Sequence, residues 1–159
     1  MPLWLIIVYA LVWGYVLQAI GEEAVMRGYL LQSFSDRPKR AVWISVVVFT
    51  IPHLISRGGQ QGVADHLLYL ALPFGFAVTA AYLSLTMRSV WAGIGIHGGF
   101  HLCNNLLVPM NPSSPPPVMW VVTGLAFSAV GLLIASRISQ ERWAEIAARG
   151  PFAPPADDT

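Results

Sequence analysis

From Leu3 to Ile20 the chain carries no charged residue, and the same hydrophobic segment then admits Glu22, Glu23 and Arg27 before ending near Phe34. An uncharged apolar run of about eighteen residues is long enough to be a membrane-spanning helix. An ionisable side chain at membrane depth costs at least roughly 2.5 to 3.5 kcal/mol on insertion scales, so two carboxylates in one turn call for a partner or a use. The rest of the chain agrees with a bilayer environment: 55% of its 159 residues are hydrophobic and 11% are charged, against about 25% charged in soluble domains.

No basic residue precedes the first run and no small-residue cleavage site follows it, so it is expected to stay in the membrane and not to be a cleaved signal. Five segments approach the length of a span: Leu3 to Phe34, Ala41 to Ser56, His66 to Met87, Val90 to Pro109 and Val118 to Arg137. The expected fold is all-α, a polytopic bundle of about five spans with a polar site inside the bilayer. The first segment is too long for one straight crossing and is expected to tilt or to bend near Gly21. Residues 1–149 form the transmembrane core, and the proline-rich, acidic tail 150–159 is expected to be disordered.

Charged or flexible linkers separate the spans: Ser35 to Arg40, Arg57 to Gly62, and the uncharged, proline-rich Met110 to Pro117. Arg37, Lys39, Arg40, Arg88, Arg137, Arg142 and Arg149 all fall on one side of this topology, and only Arg57 falls on the other. The basic side is the cytoplasmic one, which puts the amino terminus outside the plasma membrane and the carboxyl terminus in the cytoplasm. Ile138 to Arg149 reads as a short interfacial helix anchored by Trp143. The lone Cys103 rules out an internal disulfide and reads as a small buried residue. A net charge of +1 offers nothing to nucleic acid.

Residues four apart share a helix face. Glu23 therefore lies over Arg27, and an ion pair between them leaves Glu22 facing elsewhere, in line with Gln18 and Met26. A helix-end charge network would account for this cluster alone. Two further segments argue for more. Phe49-Thr50-Ile51-Pro52-His53 ends the second span with a backbone disturbed by Pro52. His97-Gly98-Gly99-Phe100-His101 sets two histidines on one face of the fourth, among glycines that admit a close neighbour. Counted at 1.5 Å per residue from the basic side, Glu22 and His53 lie roughly 18 Å deep and His97 roughly 12 Å deep, so a carboxylate and two imidazoles can meet. His66, beside Asp65, reads as a capping or solvated residue at the opposite interface.

In this order, Glu22-Glu23 with Arg27, Phe49 with His53, and His97 with a polar residue four later resemble the CAAX protease and bacteriocin-processing family of intramembrane endopeptidases. The likeness covers about Gly21 to Asn105. It implies that Glu22 and His53 activate a water while His97 and His101 stabilise the oxyanion, with Glu23, Arg27, Phe49 and Asn105 in support. Many members carry asparagine where this chain has His101, and Asn105 lies one turn further on. A second chemistry stays open, in which Glu22, His53 and His97 hold zinc or another divalent metal as a His₂Glu set, although no HExxH motif is present. The expected partners are membrane lipid and a peptide or protein substrate, a prenylated tail for CAAX-type processing or a leader peptide or membrane-protein segment otherwise. The rival readings are a catalytically silent immunity or scaffold protein and a metal-ion carrier. A carrier would need polar groups along a path to both faces, whereas here they cluster at one level.

Overall fold

A computed structural model describes residues 2–57, 59–107 and 116–155. Six helices follow one another with no strand among the described residues: α1 (Leu3–Ser33), α2 (Pro38–Thr50, continued by a 3₁₀ turn over Ile51–Ile55), α3 (Val63–Met87), α4 (Val90–Leu107), α5 (Pro117–Ala135) and α6 (Gln140–Arg149). Pro38 opens α2 at its first position, where a missing N–H costs nothing. Ser139 caps α6 by accepting the Arg142 N–H at 3.2 Å.

α1, α3 and α5 are long and apolar enough to cross a membrane. α2 is interrupted at Pro52, and α4 is diluted by His97, His101, Asn104 and Asn105. All three apolar helices end at the same end of the bundle. Arg88, just after α3, bonds Glu145 of α6, and Arg142 of α6 reaches back to the Leu85 carbonyl. Residues 37–40, just after α1, share a cavity with α6. α2 and α4 therefore run in the opposite direction between them, and the basic residues that the sequence assigns to one side do gather at one end.

The backbone of α1 is not broken at Gly21, whose φ and ψ of −63° and −49° are helical. The helix instead widens into π turns over Val12–Ile20 and Ala24–Leu30, on either side of Gly21–Glu23. Such wide turns relieve a long helix without breaking it and occur often beside functional groups. α3 is the centre of the packing. On one side Phe76, Ala77, Ala80, Ala81 and Leu85 meet Val42, Val46 and Phe49 of α2. On the other, α3 touches α5 backbone to backbone: a Cβ on Gly124 would stand 2.1 Å from the Ala71 carbonyl oxygen, so only glycine fits there.

Three expectations need correction or fall outside the described chain. Cys103 is exposed on α4, because the helix turns that face away from its neighbours. The tail is not free from Gly150 onward. Pro151 is buried and Phe152 packs on the core, while the Pro151 and Ala153 carbonyls accept bonds from Arg142 and Arg88. Arginines that must satisfy their donors hold this segment down in spite of its composition. Most of the Met110 to Pro117 loop lies outside the described residues, and Pro117 already belongs to α5.

Glu145 ties this end together, paired with Arg88 at 2.7 Å, Arg142 at 2.9 Å and Arg149 at 3.4 Å. The hydrogen-bonded Arg88 guanidinium first, and then Arg142, hold its carboxyl down to about 2 from an ordinary 4.5. A depressed carboxylate stabilises the folded form fully above its unfolded pKa, and that contribution fades as pH falls toward the folded one. In an acid titration followed by Trp143 fluorescence, α6 should stay docked down to about pH 4.5 and release progressively below it. Glu145→Gln should remove that acid transition.

Candidate active site

The polar centre begins with a charge cluster that is entirely shut off from solvent. Glu23 and Arg27 are both fully buried. Arg27 Nη1 donates to Glu23 Oε1 at 3.1 Å and Nη2 to the Ala77 carbonyl at 2.8 Å, while the guanidinium lies 5.2 Å over the Phe49 ring. The ion pair read from the sequence is thus present. Glu23 also does something the spacing did not reveal: its Oε1 accepts the His97 Nδ1–H at 3.0 Å. Gly93, one turn before His97, makes room, since a Cβ there would lie 2.5 Å from Glu23 Oε2.

That bond fixes His97. With Nδ1–H committed to a carboxylate, its Nε2 faces the Nε2 of His101 at 3.1 Å, and the two rings stack at 4.9 Å. One proton must lie between those nitrogens for the contact to be a hydrogen bond. His53 is oriented by a different device. The 3₁₀ turn around Pro52 shifts the backbone pairing by one residue and frees the Phe49 carbonyl, which accepts the His53 Nδ1–H at 2.8 Å. Its Nε2 is left as a bare acceptor.

The three histidines open on one small pocket of about 40 Å³, walled also by Phe49, Tyr69, Phe76 and Phe100. A water needs at least about 10 to 15 Å³ of such space. Phe49 touches both sides of the site, 4.9 Å from the His53 ring and 5.7 Å from that of His97, which accounts for an aromatic residue at that place in the motif. The sequence reading missed Tyr69, Phe76 and Phe100. Tyr69, Leu72, Pro73 and Phe76 show the i, i+3, i+4, i+7 pattern of a single face, a signal hidden by the small residues of α3.

Glu22 does not line this pocket. It is half-buried on α1 without an ion pair among the described residues. Asn105 is half-buried one turn beyond His101. Among the described residues no three His, Cys, Asp or Glu side chains come together as a metal site. Both ring nitrogens of His97 are engaged, by Glu23 and by His101. His66 donates Nδ1–H to the Gly62 carbonyl at 2.9 Å, a capping contact at the start of α3.

A helical membrane protein that buries an ion-paired glutamate beside a histidine-walled pocket with room for water is built like an intramembrane hydrolase. The chain belongs to the type II CAAX prenyl endopeptidase Rce1-like family, whose model matches residues 3–103. That match spans Glu22, Glu23, Arg27, Phe49, His53, His97 and His101 and stops short of Asn105. No curated protein and no solved structure matches the chain.

Proposed function

We propose that the protein is a glutamate-type endopeptidase of the plasma membrane that hydrolyses a peptide bond of a prenylated CAAX-type substrate in the pocket between His53, His97 and His101. The observation that carries this reading is the convergence of three imidazoles from α2 and α4 on a pocket large enough for water. Family membership supports the substrate class proposed. In the proposed mechanism Glu22, which stands outside the pocket wall at rest, turns to the pocket when substrate enters and takes a proton from the attacking water, while the bare Nε2 of His53 orients that water. Glu22 has the uncommitted carboxylate of the pair, since Glu23 is held by Arg27 and His97. The basic end of the bundle faces the cytoplasm.

His97 and His101 stabilise the tetrahedral oxyanion. At rest they share one proton between their Nε2 atoms, and an entering carbonyl oxygen competes for it. Glu23 holds His97 by its Nδ1–H, so the Nε2 side of the ring stays turned toward His101. His101→Asn, which retains an N–H donor, should keep most of the turnover, whereas His101→Ala should lose roughly 10²- to 10³-fold. Equal turnover of wild type, Asn and Ala variants would reduce His101 to a packing residue.

The reading is tested by reconstituting the purified protein with a farnesylated CAAX peptide and following release of the terminal tripeptide with and without chelator. Release that survives the chelator is the expected result. Release abolished by the chelator and restored by zinc would replace the glutamate mechanism with a metal one, and no release from any prenylated peptide would favour a silent relative.

A further inference from the structure

A second cavity lies at the basic end of the bundle, away from the histidines. It is an open groove of about 420 Å³ between the first turn of α2 and α6, lined by Arg37, Lys39, Arg40, Gln140 and Trp143 among others. We propose that this cavity binds the phosphate of an anionic lipid headgroup. The site is independent of the peptidase reading and needs only that the helices stand in a membrane.

Its charge is largely unspent. Arg37 has an exposed ion pair with Asp36 at 3.6 Å, whereas Lys39 and Arg40 form no ion pair among the described residues. No acidic side chain lines the cavity, and Glu145 of α6 is already taken by three arginines. Lys39 Nζ lies 5.5 Å over the Trp143 ring, so the ammonium is held at the cavity wall. The α2 terminus has no side-chain cap, and its first-turn N–H groups add to the positive field.

Position and surroundings select a lipid over a free anion. α1 ends at Ser33 and α5 at Ala135, a few residues before the two walls of the cavity, so it stands at headgroup level, where basic pockets between helices take lipid phosphates. Along α2, Lys39 is followed at four and eight residues by Trp43 and Val47, and Arg40 by Ile44 and Val48; all four apolar residues are exposed. They form a stripe running from the cationic turn toward the bilayer, as an acyl chain attached to the bound phosphate requires.

Native mass spectrometry of the full-length protein in detergent, titrated with phosphatidylglycerol, phosphatidylcholine or inorganic phosphate, tests the site. Wild type should bind phosphatidylglycerol at least about tenfold tighter than phosphatidylcholine, by attraction of three cations to one phosphate. The variant R37Q/K39Q/R40Q should bind the two lipids equally, and Arg57→Gln, outside the cavity, should behave as wild type. Helical circular dichroism and monodisperse elution confirm that the variants are folded. Should the triple variant misfold, Lys39→Gln alone should still cut the preference by about threefold. Millimolar inorganic phosphate should leave the lipid bound. Displacement of the lipid by phosphate, an absence of preference in wild type, or an undiminished preference in folded variants would each overturn the proposal.

Discussion

Glu22→Gln is expected to lower turnover of a prenylated CAAX peptide by about 10²- to 10⁴-fold while leaving the melting temperature where it is in wild type. The magnitude is that of removing a positioned general base. The separation of activity from stability follows from where the side chain sits. Glu22 is half-buried and has no ion pair among the described residues, so an amide of the same size costs the fold little. Turnover in steady state, with melting followed by circular dichroism, reads both quantities. A variant with near-normal turnover would move the base to another group, His53 first.

Glu23→Gln should behave in the opposite way, although it is the adjacent residue. It removes the charge that neutralises a guanidinium with no exposure at all, and breaking a buried pair by deleting one partner typically costs about 3 to 5 kcal/mol. The Ala77 carbonyl and the Phe49 ring would still contact Arg27, but neither carries a compensating charge. The expected outcome is poor expression and a markedly lower midpoint of unfolding. Whatever fraction folds should also lose activity, because His97 then faces a neutral acceptor. The double change Glu23→Gln with Arg27→Met should recover much of the stability and little of the activity, which separates the two roles of this carboxylate. A Glu23→Gln protein as stable as wild type would mean that the pair is not buried as described.

How much of this was legible beforehand depended on the range of the interaction. The Glu23 and Arg27 pair is local to one helix, and a four-residue spacing suffices to find it. Glu22, His53 and His97 are brought to overlapping levels by counting depth along separate helices, a crude ruler that works because spans are nearly parallel rods. What lay beyond reach was lateral. Depth does not say which side of α1 meets α4, so the bond between Glu23 and His97 was invisible although both residues had been singled out. For the same reason the sequence does not show that Glu22 stands outside the pocket wall at rest, and Tyr69 is passed over in a helix whose small residues stand out. Near Gly21, where a tilt or a bend is expected, the limit is of a different kind: the hydropathy pattern cannot tell a break from wide turns, which keep the helix continuous.

The most direct test of the site is the rate at which reconstituted, folded His53→Ala protein releases the terminal tripeptide from a farnesylated CAAX peptide, measured beside wild type. His53 shares the pocket with His97 and His101 but takes no part in the buried ion pair, so its loss should spare the fold. The account predicts tripeptide release by wild type and a loss of roughly 10² or more in the variant at an unchanged melting temperature. Release at the wild-type rate by folded His53→Ala protein would contradict it.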